Sequence, residues 1–293
     1  MATKIIILMG PTCVGKTAQS LAIARLLGSP VINCDSRQIY KELKVGVARP
    51  TEDELSQAKH YFIASHTIHQ TYSAGDYERE AWELVLKLAP SHEYLLMVGG
   101  SGFYIDAFTE GIDHMPPSDP GLREELALKA EDSEGFRNLQ NQLKELDPVT
   151  WSRIDPANKR RVVRAVEVCL SSGKPYHYFL KHTPKKRPFE IEKIMMDRPR
   201  EELYERIDQR VERMITDGLM AEARLLYPHK KLPALQTVGY RELFAHFDGE
   251  YSYSEALRLI KRNTRRYAKR QLTYWREVPR REDHPLLRPV PSL

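Results

Sequence analysis

The sequence predicts an α/β protein with a parallel-sheet core, a helical insertion and a helical C-terminal region. Three observations predict it. Ile5 to Met9 is a short apolar run that passes directly into Gly10-Pro11-Thr12-Cys13-Val14-Gly15-Lys16-Thr17, and Leu21, Ala24 and Leu27 then follow at helical spacing. Two further apolar runs, Val31 to Cys34 and Tyr94 to Val98, end respectively in Asp35-Ser36 and Gly99-Gly100-Ser101-Gly102. Polar or glycine-rich residues at strand carboxyl ends mark the ligand crevice of an open α/β sheet. Finally, residues from about Leu122 to Leu180 carry short charged helical patterns with no strand alternation.

The first turn has specific chemistry. Gly10 to Thr17 matches G-x-x-x-x-G-K-[ST] at every fixed position, so the core is expected to be P-loop NTPase-like. Backbone N–H groups curl around phosphate oxygens where a helix begins, and Gly10 and Gly15 permit the curl. Pro11, Thr12, Cys13 and Val14 lie between them. Lys16 supplies a point charge to the phosphates, and the Thr17 hydroxyl is placed to coordinate Mg²⁺. The motif alone leaves the phosphate compound open.

Composition narrows the class. The chain has 293 residues, 41% of them hydrophobic, enough for an ordinary globular core of one large or two modest domains. No apolar run reaches the ~18 residues of a membrane span, and the N-terminal run is read as a strand of the fold and not as a signal peptide. Cys13, Cys34 and Cys169 are odd in number and lack C-x-x-C spacing, which argues against a disulfide framework or zinc site and for a reducing cytoplasm. The formal charge of +5 is mild, but Lys and Arg crowd the last third.

Residues 1–114 are read as the first part of the core, 115–188 as the helical insertion and 189–293 as a return to the core followed by the C-terminal region. Asp35 is a site candidate at a strand end and also a candidate N-cap for a helix expected near Ser36. A polar helix is expected from about Thr51 to Ala58, and Ser73 precedes a helix to about Leu88. His66 and His69 have no further ligands nearby and read as a surface or packing pair. Lys159, Arg160, Arg161 and Arg164 form a basic cluster in the insertion, for which a solvated helix face is the competing reading. Phe189 to Met196 reads as a strand. Leu203, Ile207, Val211, Met214 and Ile215 make an apolar stripe ringed by Arg206, Arg210 and Arg213, with Gly218 as the stop. A last long helix from about Tyr253 interleaves Lys261, Arg262, Arg265, Arg266, Lys269, Arg270 and Arg276 with Tyr267, Tyr274 and Trp275. Basic residues neutralise phosphates and aromatics stack on unpaired bases, which suggests RNA or single-stranded nucleic acid, with a calmodulin-like or membrane-surface helix as the competing reading, against which stands the lack of a broad apolar face.

From the residues alone, a P-loop kinase of a nucleotide or small metabolite is one reading, with Asp35 accepting the acceptor's proton. A nucleic-acid-modifying transferase that holds a phosphate-bearing donor in the loop is the other, and it also accounts for the insertion and the basic aromatic helix. An NTP-driven RNA-binding module would leave Asp35 without chemical work.

The stretches GPTCVGKT, DSRQIY, VGGSGFY, RRVVRAVEV, TVGYRE and NTRRYAKRQLTYW occur here in the order found in the tRNA dimethylallyltransferases, and the resemblance spans roughly Ile5 to Trp275. No zinc-finger extension follows, so the bacterial form is the one resembled. The resemblance implies transfer of a dimethylallyl group from dimethylallyl diphosphate to N6 of adenosine 37, next to the anticodon of tRNA. It implies Asp35 as general base, the loop to Thr17 and Arg210 on the diphosphate, and Mg²⁺ held by Thr17. It also implies tRNA contacts at Asp35, Ser36, Arg37, Gln38, Ser101, Arg123, Arg160, Arg161, Val162, Val163 and Arg164, and at Thr237, Val238, Gly239, Tyr240, Arg241 and Glu242. A monomer without membrane attachment is expected. The adenylate isopentenyltransferases share the loop and the aspartate but act on free AMP; the basic insertion and C-terminal helix argue against them. Two departures stand out: Gly46-Val47-Ala48-Arg49-Pro50 replaces the family's usual Gly-Thr-Ala-Lys-Pro, and Cys13-Val14 replaces a commoner small pair.

Overall fold

The computed structural model describes residues 3–117, 119–181, 183–280 and 284–287. The chain divides into two compact units, Met1–Thr109 with Lys186–Leu293, and Glu110–Lys185.

In the first unit, strands β1 (Lys4–Met9), β2 (Val31–Asn33), β3 (His60–Tyr61), β4 (Tyr94–Gly99) and β5 (Glu190–Met195) form an all-parallel sheet in the order β3-β2-β4-β1-β5. Ile5, Ile7 and Met9 pack on one face of the sheet, and Ile6 and Leu8 on the other. Burial on both faces is why β1 reads as a continuous apolar run and not as an alternation. Met9 pairs with Gly99 on one side and Met195 on the other, and Asn33 pairs with Val98. The carboxyl ends of β1, β2 and β4 are therefore aligned, and the loops that leave them lie side by side.

Helix α1 (Lys16–Leu27) starts at Gly15 and stops at Gly28, both in the left-handed region. The N–H groups of Gly28 and Ser29 return to the last turn, on Arg25 and Ala24, as expected of a glycine C-cap. Helices α2 (Glu52–Ser56) and α3 (Ala74–Leu88) each open with a capping box, Thr51 with Glu54 and Ser73 with Asp76. Helix α4 (Gly102–Glu110) follows β4. Arg187 reaches the buried Glu78 on α3 at 2.8 Å and stacks over Trp82, tying the chain before β5 to the core.

The second unit contains α5 (Pro120–Lys129), α6 (Ser133–Leu146), α7 (Pro148–Arg153) and α8 (Lys159–Ser172) around Leu126, Leu139, Leu143, Val162, Ala165 and Val166. Aspartates or asparagine cap all of them: Asp119, Asp132, Asp147 and Asn158. Back in the first unit come α9 (Arg200–Thr216), α10 (Leu219–Leu226), α11 (Tyr240–Phe247) and α12 (Tyr253–Tyr274). Gly218 stands between α9 and α10 with φ of 100°.

Two expectations are corrected. The helix expected near Ser36 is a turn. The carbonyls of Gln38 and Ile39, which would accept bonds within a helix, instead accept the N–H groups of Ala64 and His66 at 2.9 Å each. His60 and Tyr61, not expected as a strand, form the edge strand β3. Among the described residues no helix is long and apolar enough to cross a membrane.

Candidate active site

The loop between β1 and α1 has the backbone its glycines require. Gly10 and Gly15 have φ of 157° and 110°, and a Cβ built on Gly10 would lie 2.8 Å from the Met196 carbonyl oxygen. Cys13 also sits in the left-handed region, with φ of 67°, a conformation that costs an L-residue about 1–2 kcal/mol. Val14 is buried against Leu203, Ile207 and Ala268, so it serves as the packing anchor of the loop. Lys16 folds back and donates to the carbonyls of Gly10 and Pro11, both at 2.8 Å. Burial pushes the Lys16 ammonium down to about 8, with Asp35 opposing that shift and Arg210 adding to it.

Arg210 on α9 donates Nη2 to the Thr12 hydroxyl. Its Nε is buried with no hydrogen-bond partner among the described residues, an orphaned donor on a cation, as an anion site provides. Two further guanidiniums brace the loop from behind. Arg198 Nε donates to the Val14 carbonyl at 2.7 Å and Arg206 Nε to the Cys13 carbonyl at 2.9 Å. Of the loop's own N–H groups, that of Thr12 goes to Gln271 Oε1 at 2.9 Å and that of Val14 to the Pro11 carbonyl at 3.4 Å.

Asp35 follows β2 in the next loop. Its Oδ1 accepts the Arg37 N–H at 2.8 Å and the Gln38 N–H at 3.4 Å. The carboxylate therefore caps the turn with one oxygen, and Oδ2 has no hydrogen-bond partner among the described residues. Ser101 Oγ, in the glycine-rich loop after β4, accepts the Ser36 N–H at 2.9 Å and lies 3.1 Å from Ser36 Oγ. The side chains of Arg37 and Gln38 turn onto neighbouring backbone. Arg37 Nη1 donates to the carbonyls of Pro233 and Ala234, and Gln38 Nε2 to those of Val47 and Ala48.

The stretch from Thr237 to Glu242 divides. Thr237 and Val238 are half-buried and Arg241 is exposed, whereas Gly239, Tyr240 and Glu242 are buried. The Tyr240 and Glu242 side chains are therefore turned into the fold. Tyr240 donates its hydroxyl to Glu222 Oε1 at 2.6 Å, while Glu242 accepts the Gly239 N–H at 2.8 Å and the Asn263 amide at 2.7 Å. Glu222 also accepts the N–H groups of Lys44, Val45 and Gly46. The start of the Gly46–Pro50 loop is thus pinned through its backbone.

In the second unit Arg160 and Arg161 are exposed, Val163 and Arg164 half-buried, and Arg123 is on the surface. Val162 is fully buried in the core of that unit.

Residues 38–278 match the family model described as IPP transferase. The chain belongs to the IPP transferase family. The matched segment begins after both the phosphate loop and Asp35. The tRNA dimethylallyltransferase of Flavobacterium johnsoniae is 45% identical over 278 residues, covering 93% of this chain and 90% of the relative. The tRNA dimethylallyltransferase 2 of Porphyromonas gingivalis is 46% identical over 270 residues, with 92% and 90% covered. The crystal structure of the tRNA isopentenylpyrophosphate transferase of Bacillus halodurans aligns with TM-score 0.66 at 32% identity, over 93% of this chain and 86% of that one. A eukaryotic dimethylallyltransferase aligns at TM-score 0.77 and 23% identity, and shares the fold.

In this IPP transferase, sequence reading overlooked Gln271. It lies on the buried face of α12, where Nε2 donates to the Gly100 carbonyl at 2.7 Å and Oε1 accepts the Thr12 N–H at 2.9 Å. One amide joins both glycine-rich loops. The available signal was a glutamine in register with the apolar face of a basic helix, alongside Ile260, Thr264 and Ala268. Arg198 and Arg206 carried no such signal in a sequence crowded with arginine.

Proposed function

We propose that this IPP transferase moves a dimethylallyl group from dimethylallyl diphosphate to N6 of adenosine 37, next to the anticodon of tRNA. The observation that carries the reading is the convergence of Asp35 with the phosphate loop, where the orphaned Arg210 Nε and the Lys16 ammonium supply two cations suited to a diphosphate. The relatives' names favour this reading over a kinase or an adenylate isopentenyltransferase.

The adenine N6 lone pair is delocalised into the ring, so the amine is a weak nucleophile until it loses a proton. Asp35, held by its Oδ1 bonds to the turn, offers Oδ2 to that proton. As the N6–C bond forms, the allylic C–O bond breaks and its electron pair leaves on the diphosphate. Lys16 and Arg210 hold the oxygens on which charge grows, where preorganised cations lower the barrier most.

Thr17, in the first turn of α1, would hold Mg²⁺ through its hydroxyl. Among the described residues no group of three or more His, Cys, Asp or Glu gathers as a metal cage. Mg²⁺ commonly completes its shell with water and substrate phosphates. Bound there, it would neutralise charge on the diphosphate. Arg160 and Arg161 are available to RNA phosphates, and a target base must leave the anticodon stack to reach Asp35. A monomer is the proposed state, and three free thiols suit the cytoplasm.

The test is transfer from labelled dimethylallyl diphosphate, with Mg²⁺, to unmodified tRNA and to AMP in parallel. Label on tRNA and none on AMP is expected. Label on AMP alone, or phosphoryl transfer from ATP instead, overturns the proposal.

A further inference from the structure

The buried carboxylate of Glu167 in the helical unit sits between two arginines. Arg123 Nε on α5 donates to Glu167 Oε2 at 3.0 Å, and Arg164 Nη1, one turn before Glu167 on α8, donates to Oε1 at 2.8 Å. The Glu167 side chain is 1% exposed, whereas Arg123 and Arg164 are 49% and 28% exposed. Two guanidiniums brought this close repel each other unless a negative charge stands between them. A carboxylate with both oxygens engaged also fixes the plane of each guanidinium, whose geometry is otherwise free to rotate on a long side chain. The other N–H groups of Arg123 and Arg164 carry no further hydrogen bond among the described residues. They form a preorganised double fork suited to phosphate oxygens.

We infer that Glu167 is a positioning residue for RNA binding, aligning Arg123 and Arg164 as a paired fork for the phosphate backbone of the tRNA. The inference rests on the proposed tRNA substrate. It makes a prediction opposite in sign to simple charge counting. A carboxylate near a polyanion weakens binding, so neutralising it should tighten the complex; removing a residue that aligns two arginines should loosen it.

Glu167→Gln and Arg123→Lys test this by tRNA binding at fixed salt and by steady-state kinetics, at temperatures where circular dichroism shows each variant folded. Arg123→Lys keeps the charge and leaves Glu167 ionised, so it serves where Glu167→Gln does not fold. Each substitution is expected to raise the dissociation constant and KM for tRNA by roughly tenfold, with kcat and the donor KM unchanged. The double variant should be no worse than either single one, because both remove the same fork. Equal or tighter tRNA binding by the variants, or effects that simply add, overturns the inference while the proposed function stands. Failure of the unsubstituted protein to bind tRNA overturns both.

Discussion

Gln271 and Thr12 are 259 positions apart, and the Gln271 amide oxygen accepts the Thr12 N–H at 2.9 Å. The other end of the same amide holds Gly100, so helix α12 sets the spacing between the phosphate loop and the loop that carries Ser101. Gln271→Leu keeps the approximate volume but leaves a buried N–H and a buried carbonyl unsatisfied, at about 1–3 kcal/mol each. Thermal unfolding should report that loss. Affinity for inorganic diphosphate should fall at least tenfold as the loop loses its spacing, and an unchanged affinity would show that the loop holds its shape without α12.

Asp35 has separable duties because one oxygen caps the turn. Asparagine retains a side-chain carbonyl for the Arg37 N–H, so Asp35→Asn should fold with near-normal stability. Loss of the base should lower kcat by about 10²–10⁴. Asp35→Ala should lose kcat and also cost about 1 kcal/mol of stability through the broken turn. Equal turnover by Asp35→Asn and the unsubstituted enzyme would remove Asp35 from the chemistry.

Lys16 brings a pH dependence whose sign follows from its lowered value of about 8. Below that pH it is an ammonium before and after the anion binds. Above it, the free site holds a neutral amine that must take up a proton when diphosphate binds, so affinity falls as pH rises through 8. Calorimetry of diphosphate binding in two buffers should show proton uptake at pH 9 beyond that at pH 7. Lys16→Arg, whose guanidinium stays charged, should leave only the ligand's own titration.

Gly99 is required for a different reason from the capping glycines. A Cβ there would lie 2.5 Å from the Cys34 carbonyl carbon and 2.6 Å from its oxygen, where β4 and β2 run side by side. Gly99→Ala should destabilise by about 3 kcal/mol and separate the strand ends that carry the loop and Asp35. Gly28→Ala meets nothing within 4 Å and has φ of +58°, so it should cost only about 1 kcal/mol. Chemical denaturation of the two variants side by side measures the difference.

The sequence by itself determined the local parts. The loop from Gly10 to Thr17 is contiguous, its glycines and lysine have one physical use at that spacing, and β1 and α1 around it follow from apolar periodicity. Asp35 was visible because a strand end in a parallel sheet is a ligand position. The turn after Asp35 was misread as a helix because its carbonyls are taken by Ala64 and His66, partners that no local pattern reveals. Tyr240, Glu242 and Val162 belong to stretches shared with the family, and only packing showed that their side chains lie inside. Tertiary structure alone decided that Gln271 joins two loops, that Glu222 pins a third, and that Glu167 holds two arginines. Each of these is a polar group with partners from distant elements, and it is the folded chain, not the spacing of residues, that brings them within hydrogen-bond reach.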